Sequence, residues 1–443
     1  MSIDGPSDEA VGRAALAKAS WRLLPMIGLG YGIAYMDRVN IAFASLRMNQ
    51  DLHFSATVYG LGGGLFFLSY ALFEVPSNLL LVRFGARRWI ARIMLTWGLL
   101  AVGMMFVKSP IQFYIMRFLL GLAEAGFFPG VILYLTHWFP AAYRGRAISR
   151  FYVAWPLSTV VMGSVAGALL HLQGRLGLAG WQWLFLVEGL PAIAMSGVIL
   201  VLLPDRPADA AWLTGAEKGW IERRLAADAA LLVGAGEHGF LHALANPRVL
   251  QLGAVNFLIL GAFYAFSLSA PAVLDGLTHL GVTKVGYLIA FSGLLGAAAM
   301  VFNGWHSDRS RERYFHLIVP LAAIAAAFAV VSLSTTPWVV MIAYLAAITF
   351  NAAVGAVFWL VPSDLLHPRA TAVSVAAINA IGQSGSFFLP YAWGLSKDHT
   401  GSFHAALTAL PFAFLVAAAI MVGMRYQARA GRRTAGLAGS AAS

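Results

Sequence analysis

Charged side chains interrupt long apolar runs in the first half of the chain. They are four acids and two bases: Asp37, Glu74, Glu124, Glu188, Arg38 and Arg117. An uncompensated charge at the centre of a bilayer costs about 2.5–3.5 kcal/mol even by insertion measurements, so such residues face a bundle interior and pair. A buried carboxyl can bind and release a proton, and a buried guanidinium can bind an anion. The sequence therefore predicts proton and anion chemistry inside a helix bundle.

The spacing of these residues places several of them on common helix faces. Arg117 and Glu124 are seven residues apart, which puts them on one face and about 10.5 Å apart along the axis. Tyr35 and Arg38 share a face of the first apolar helix, and Asp37 lies about 100° around it. We expect the two helices to face each other, so that Asp37 neutralises one arginine and the other arginine binds an anion.

The acids are expected to play different roles. Glu124 lies between two alanines, and Arg117 is two helical turns away. Burial therefore disfavours its charged form, with less compensation from nearby positive charge than at Asp37. We predict that Glu124 carries the proton. Asp37 has closer cationic neighbours and is predicted to act as a salt-bridge switch. Glu74 and Glu188 are predicted to tie helices together rather than move protons. A static network of charges on the two helices is the alternative, less favoured because a buried ion pair stabilises only weakly.

The second half of the chain offers neutral polar side chains instead of charges. Asn379, Gln383 and Ser386 follow one another at i, i+4 and i+7 and form a polar stripe. Asn256 and Trp359 lie in two other apolar runs. Amides and a tryptophan suit the hydroxyls and the carbon skeleton of an organic anion. The alternative for Asn379, Gln383 and Ser386 is hydrogen bonding between helices.

Composition indicates a membrane protein with many spans. Of the 443 residues, 60% are hydrophobic and only 11% are charged, whereas soluble domains are about 25% charged. A bilayer core needs roughly 20 apolar residues per helix, and these runs lack the alternation of barrel strands. Twelve runs reach about that length: 22–46, 58–82, 89–107, 112–136, 147–170, 183–203, 249–274, 285–303, 314–334, 338–360, 370–395 and 405–424.

The basic residues are distributed by side of the membrane. Of the 30 Lys and Arg residues, 23 fall in one set of loops and tails, five fall in the opposite loops and two lie inside helices. The positive-inside rule then places both termini in the cytoplasm, which agrees with an even number of spans. Residues 1–20 lack a secretory signal pattern, so we expect the first helix to direct insertion. This distribution by side of the membrane accounts for the net charge of +11. We therefore expect the lipid bilayer as a partner and expect no nucleic acid.

The chain divides into two halves that resemble each other. A polar loop follows the sixth run, and Thr214 to Glu217 form a capping-box pattern that opens a short surface helix. The predicted domains are a six-helix bundle (1–203), a cytoplasmic linker (204–248) and a second six-helix bundle with a basic tail (249–443). SNLLLVRFGARR after the second run resembles NGWHSDRSRER after the eighth. Such internal duplication is typical of secondary transporters, whose substrate sites lie between the halves.

Motifs of enzymatic chemistry are absent from the sequence. There is no HExxH, no GxSxG and no phosphate-cradling GxxxxGK[ST], and the chain has no cysteine. The chain is therefore predicted not to be an enzyme and to use no metal, no cofactor and no ATP.

Six stretches together resemble the major facilitator superfamily and, within it, the anion:cation symporter family, over essentially the whole chain. The branch is similar to bacterial tartrate, phthalate and 4-hydroxyphenylacetate permeases. The stretches are YMDRVNIAFA, EVPSNLLLVRFGARRW, RFLLGLAEAGFFPG, YLTHWFPAAYRGRA, GWHSDRSRER and INAIGQSGSFFLPY. The resemblance implies an all-α fold of twelve transmembrane helices in two pseudo-symmetric six-helix bundles.

The resemblance also implies roles for individual residues. It implies proton coupling by Asp37 and Glu124 and anion binding by Arg38 and Arg117. Substrate contacts are implied or predicted for seven residues: Tyr35, Tyr70, Trp155, Asn256, Trp359, Asn379 and Gln383. Trp155 stands where related sugar-acid carriers tend to have an amide, which favours aromatic or small compact acids.

The loop after the second run departs from the family pattern. Val82 stands where the family has an acid that helps to latch the cytoplasmic gate. The latch is therefore expected to depend more on Asp308 of the second copy. Arg83, Arg309 and Arg313 are the other expected gating residues.

The sequence and the resemblance lead to one functional hypothesis and its alternatives. The hypothesis is a monomeric, proton-coupled symporter of the inner membrane that imports a small organic anion by alternating access. The alternatives are an organic-anion efflux antiporter, an uncoupled facilitator and a membrane sensor that does not transport. A sensor would need a signalling domain, for which the linker and the short tail leave little room.

Overall fold

The described residues of this computed structural model form α-helices joined by short loops. They are residues 8–230, 245–365 and 368–440. In chain order the helices are α1 (Asp8–Asp51), α2 (Ala56–Phe84), α3 (Ala86–Gly103), α4 (Pro110–Glu124), α5 (Phe127–Thr136), α6 (Ala141–Tyr152), α7 (Ala154–Leu170), α8 (Gly180–Leu202), α9 (Gly215–Ala230), α10 (Pro247–Ser267), α11 (Ala270–Thr278), α12 (Val282–Ser310), α13 (Phe315–Leu333), α14 (Pro337–Phe358), α15 (Val361–Leu365), α16 (Pro368–Thr400) and α17 (His404–Ser440). Short 3-10 helices lie at Met104–Phe106, Arg175–Gly177 and Pro207–Asp209.

Ten of the described helical segments are long and apolar enough to cross a membrane. They are Ala56–Phe84, Ala86–Phe106, Pro110–Thr136, Ala141–Leu170, Gly180–Leu202, Pro247–Ser267, Val282–Ser310, Phe315–Leu333, Pro337–Gly355 and His404–Ala428. The other two predicted spans lie in α1 and α16, which are long enough but carry polar side chains. Asp37 and Arg38 in α1, and Asn379 and Gln383 in α16, lower the hydropathy of those helices.

The fourth predicted span, 112–136, is interrupted in its middle. α4 ends at Glu124, and Gly126 adopts a left-handed conformation with φ 85° before α5 begins. Glycine is favoured there because a side chain rarely adopts this conformation, and an added Cβ would also collide with the Ser77 hydroxyl. The break places Glu124 at the end of a helix rather than inside one.

Two compact units are distinguished by their internal contacts. Among the described residues, the first contains residues up to Ala44, Ser69–Met162 and the segment from Ala168 into the linker. The second contains Ser45–Leu68, Gly163–Gly167 and the remainder of the chain. In the first unit α3 packs along α8, and in the second α10 packs along α16 and α14 packs along α12 and α13. The predicted domain bounds at 203 and 249 stay a prediction.

The capping box predicted in the linker is confirmed. The Thr214 N–H donates to Glu217 Oε2 at 2.8 Å, and the Glu217 N–H donates to Thr214 Oγ1 at 3.3 Å. Lys18 of α1 contacts the same carboxylate, with Nζ 2.8 Å from Oε1. Burial alone would raise the pKa of Glu217, but the hydrogen bonds from Lys18 and Thr214 outweigh it and lower the pKa. The predicted linker also includes residues 231–244, which lie outside the described residues.

Candidate functional site

Two ion pairs connect α1 and α4 in the first unit. Arg38 Nη2 lies 2.6 Å from Glu124 Oε1, and Arg117 Nη1 lies 4.0 Å from Asp37 Oδ2. The expectation that these two helices face each other is therefore confirmed by the geometry. The expectation that only one arginine would be neutralised is wrong, because each arginine faces an acid of the opposite helix.

The four charged side chains of these pairs are removed from solvent. Asp37 is 0% exposed, Arg117 and Glu124 are each 2% exposed, and the Arg38 side chain is 13% exposed. In a buried environment of low dielectric an ion pair stabilises the fold only weakly, but a charge that has lost its partner is strongly unfavourable. Any event that removes one partner must therefore supply another ion or a proton.

The helix break and a well-formed start fix α4 in this arrangement. Ser109 caps the helix by accepting a hydrogen bond from the Gln112 N–H at 3.3 Å, and Pro110 occupies the first turn. Glu124 is the last residue of α4. The carboxylate that pairs with Arg38 is thus held at a defined helix end.

Aromatic side chains surround the Arg38 guanidinium. Its Cζ lies 4.9 Å from the centre of the Tyr35 ring and 5.4 Å from that of Tyr70. Tyr35 also contacts Tyr31, with ring centres 4.9 Å apart, and Trp155, with ring centres 5.6 Å apart. Tyrosine faces attract guanidinium groups and offer a flat surface for a carbon skeleton. Two predicted contact residues, Tyr35 and Tyr70, therefore lie next to Arg38, and a third, Trp155, packs against Tyr35.

A third acid lies beside these pairs, in a position that the sequence did not reveal. The Glu188 carboxyl on α8 is 1% exposed and accepts a hydrogen bond from the Asn40 side-chain amide. It also lies within hydrogen-bonding reach of the Asp37 carboxyl. Asn40 follows Asp37 by three residues, so both reach the same side of α1. The three-residue spacing of Asp37 and Asn40 is the signal in the sequence for a polar contact here, but it does not identify Glu188 as the partner.

The predicted contact residues of the second half belong to the second unit. Asn256 is 3% exposed and donates from Nδ2 to the Ile378 carbonyl at 3.2 Å, which ties α10 to α16. Asn379 and Gln383 are half-buried on α16. Trp359 follows the last residue of α14. Asn256 thus makes a hydrogen bond between two helices.

The expected gating residues lie at helix ends. Arg313 Nη1 lies 2.6 Å from Asp308 Oδ1 just beyond α12. Arg309 packs over Trp305, and Arg83 over Phe84. Arg83 belongs to the first copy of the duplicated motif, SNLLLVRFGARR, and Asp308, Arg309 and Arg313 belong to the second, NGWHSDRSRER.

Asp205, which the sequence did not single out, caps α3 next to the last turn of α2, which contains Val82. Its Oδ1 accepts a hydrogen bond from the Arg87 N–H at 2.8 Å, in the first turn of α3. Val82 itself is exposed. An acid from beyond α8 therefore reaches the junction of α2 and α3, where the family's own acid is missing.

A further contact missed by the sequence joins the start of α2 to the end of α16 in the second unit. The N–H groups of Ala56 and Thr57 donate to the Asp398 carboxylate at 3.0 and 2.8 Å. Tyr59, one turn further along α2, donates its hydroxyl to the Leu268 carbonyl at 2.8 Å. Burial alone would raise the pKa of Asp398, but the hydrogen bonds from Thr57 and Ala56 outweigh it and hold the pKa below its usual value.

Metal chemistry finds no support in the described part of the chain. There, no group of three or more His, Asp or Glu side chains is placed to hold a metal ion. The chain contains no cysteine that could add a thiolate.

Comparison with known proteins identifies the family. The family model described as Major Facilitator Superfamily matches residues 27–390. The chain is 43% identical over 404 residues to a "Putative tartrate transporter" of Agrobacterium vitis, covering 91% of this chain and 90% of that protein. It is 37% identical to a "Quinolone resistance transporter" of Acinetobacter baumannii, covering 89% of this chain and 91% of the relative.

Solved structures show the same fold. The inward-open conformation of the xylose transporter XylE from E. coli superposes with a TM-score of 0.73 at 14% identity, covering 91% of this chain and 95% of XylE. The fold is thus twelve transmembrane helices in two pseudo-symmetric six-helix bundles, as the sequence predicted. Family and fold together show that the chain belongs to the major facilitator superfamily and is a multi-pass membrane transporter, not an enzyme.

Proposed function

We propose that the protein is a proton-coupled symporter that imports a small organic anion by alternating access. The observation that carries this proposal is the pair of buried guanidinium–carboxylate contacts between α1 and α4, Arg38 with Glu124 and Arg117 with Asp37. Each contact offers one group that can hold an anion and one that can hold a proton. This combination is what an anion carrier driven by a proton gradient requires.

Anion binding and proton binding are coupled through competition for the guanidinium groups. A substrate carboxylate that reaches Arg117 or Arg38 replaces the acid already there. The displaced carboxylate of Asp37 or Glu124 is then buried without a cation, which is strongly unfavourable, and it takes up a proton. The loaded site is thereby neutral and can be enclosed in a medium of low dielectric at lower cost. Release of the proton restores the ion pair and expels the anion.

A small carboxylate is the substrate class that this site favours. Arginine binds carboxylates through two parallel hydrogen bonds. The rings of Tyr35 and Tyr70 beside Arg38, with Trp155 packed on Tyr35, suit a compact or aromatic carbon skeleton. The name of the relative from Agrobacterium vitis adds tartrate as the first compound to test. Asn379, Gln383 and Trp359 are proposed as contacts of the second half.

The remaining parts of the proposal concern location and assembly. The excess of Lys and Arg on one side of the predicted spans supports cytoplasmic termini. Relatives from bacteria support the inner membrane as the location. The protein is proposed to act as a monomer.

Uptake by reconstituted protein tests the proposal. Proteoliposomes with an alkaline interior should accumulate radiolabelled tartrate, or another acid from a panel of small carboxylates, above its external concentration. Accumulation should stop when a protonophore collapses the gradient, and substrate entry should carry protons inward. Uptake that is indifferent to the pH gradient for every acid in the panel would refute proton coupling.

Export is the second candidate, favoured by the name of the quinolone resistance transporter from Acinetobacter baumannii. An exporter of the antiporter type exchanges protons for substrate, so proton and substrate move in opposite directions. A pH-sensitive dye inside the same liposomes measures the direction of proton movement during substrate entry. Alkalinisation of the interior would support the antiporter and contradict the symporter.

A further inference from the structure

The Glu188 side chain lies deep in the first unit, where the proposed mechanism does not use it. It is 1% exposed in the middle of α8. α8 approaches α3 closely there, because Gly98 and Gly189 face each other and a Cβ on either would lie within 3 Å of the other's carbonyl oxygen. A carboxyl at this depth needs a partner for each oxygen, or a proton.

Its two described contacts differ in chemistry. One oxygen, Oε2, accepts a hydrogen bond from the Asn40 amide, while Oε1 has no donor among the described residues. The second contact is the Asp37 carboxyl, whose oxygens likewise accept no hydrogen bond from a described donor. Two ionised carboxylates in contact repel each other, whereas one proton between them makes a hydrogen bond.

The balance of buried charges around Glu188 also indicates that one carboxyl is protonated. Three carboxyls of α1, α4 and α8 (Asp37, Glu124, Glu188) face two guanidiniums of α1 and α4 (Arg38, Arg117). α3, which packs along α8, carries its charges at Arg87, Arg88 and Arg92 near its first turns, away from Gly98. The buried cluster is neutral when one carboxyl is protonated. Glu124 and Asp37 each face an arginine, and the described contacts of Glu188 include none.

We propose that Glu188 is a positioning residue of the site, held in its protonated form, whose O–H donates a hydrogen bond to the Asp37 carboxylate. Oε1 carries the proton, and Oε2 remains the acceptor for Asn40. The bond holds Asp37 in its charged form opposite Arg117, as the internal competitor of the transported anion. This role rests on the proposed symport, but the protonation of Glu188 does not depend on it.

Infrared difference spectroscopy tests the proton directly, without transport. The protein purified at neutral pH in a detergent without ester groups should show the carbonyl stretch of a protonated carboxylic acid. Glu188→Gln should remove that band, whereas Glu222→Gln, the same change at an exposed position of α9, should leave it. Asp37→Asn should shift the band without removing it, because the acceptor of the O–H changes. A band that survives in Glu188→Gln would overturn the proposal.

Uptake measurements separate positioning from a merely structural role. Glu188→Gln keeps an N–H donor for Asp37, so uptake should stay within about threefold of the wild type with the same pH midpoint. Glu188→Met removes the donor, so Asp37 accepts a proton more readily and the pH midpoint of uptake should rise by about one unit. An unchanged midpoint in an active Glu188→Met variant would contradict the proposal. Absence of gradient-driven uptake in the wild type would instead refute the proposed function, while the infrared result still decides the protonation.

Discussion

The guanidinium of Arg38 and the carboxylate of Glu124 are in direct contact, with 2.6 Å between Nη2 and Oε1. The two residues are 86 positions apart in the chain. α1 and α4 bring them together, and the break at Gly126 ends α4 just beyond Glu124. The contact joins a residue that can bind an anion to one that can bind a proton.

Glu124→Gln should separate exchange from accumulation. The amide keeps a hydrogen-bond acceptor for Arg38 but cannot gain or lose a proton. Gradient-driven accumulation in proteoliposomes should fall by at least about tenfold, equivalent to ~1.4 kcal/mol, whereas exchange of labelled for unlabelled substrate should continue. Glu222→Gln on α9 serves as the control and should behave as wild type. Normal accumulation by Glu124→Gln would show that the proton binds elsewhere.

Asp37 and Arg117 should show strong energetic coupling. Arg117→Gln or Asp37→Asn alone leaves a buried charge without its opposite partner, which costs about 3–5 kcal/mol. The double variant removes both charges and should recover most of that stability. Denaturant or thermal unfolding of the four proteins in one detergent gives the coupling energy. Stability losses that simply add would mean that the 4.0 Å pair does not interact. The double variant should still fail to transport.

Gly126→Ala should destabilise the protein through the backbone. The new side chain must adopt φ 85° and collide with Ser77, and a non-glycine residue in this region costs about 1–3 kcal/mol. Gly145→Ala is the matched control, because it lies within α6 with nothing near its added Cβ. The control should be neutral or stabilising by up to about 1 kcal/mol. Melting temperatures of the two variants in the same detergent measure the difference. Equal values would contradict the requirement for a glycine in the left-handed conformation between α4 and α5.

Asp398→Asn should weaken the contact between α2 and α16. The carboxylate stabilises the first N–H groups of α2, an effect worth about 0.3–1 kcal/mol at an exposed helix terminus. Ser45 lines a cavity of the same unit beside Tyr59. Because the chain has no cysteine, Ser45→Cys gives a single labelling site. Maleimide should react with the new thiol about two- to fivefold faster in the protein that also carries Asp398→Asn than in the one that keeps Asp398.

The pH dependence of that labelling follows from the lowered pKa of Asp398. A carboxyl whose pKa is lower in the folded protein contributes stability above its ordinary value and loses it as the pH falls through the folded value. The contact should therefore be unchanged from pH 8 to 5 and weaken below about pH 4. Asp275→Asn is the control, because Asp275 of α11 makes a similar backbone contact, to the Gly281 N–H just before α12, that does not involve α2 or α16. Equal acceleration by both variants would show that the α2–α16 contact is not the cause.

The sequence alone determined the class of protein and the residues that matter. Run lengths and composition indicated twelve spans, because the thickness of the bilayer fixes the length of a helix. The cost of burying a charge singled out Asp37, Arg38, Arg117 and Glu124 as residues of a bundle interior. Both inferences need only local sequence, and helical periodicity further placed Tyr35 on the face of Arg38.

Only the tertiary structure decided which side chains meet. Periodicity assigns residues to faces of one helix but leaves the rotation and depth of its neighbours open, so it could not show which arginine Asp37 faces or that Glu124 faces the other. It could not reveal the contact of Glu188 with Asn40 or that of Asp398 with α2, because these partners are 148 and more than 340 residues apart. The break at Gly126 was also hidden, since a glycine in an apolar run signals close packing and a left-handed turn equally well.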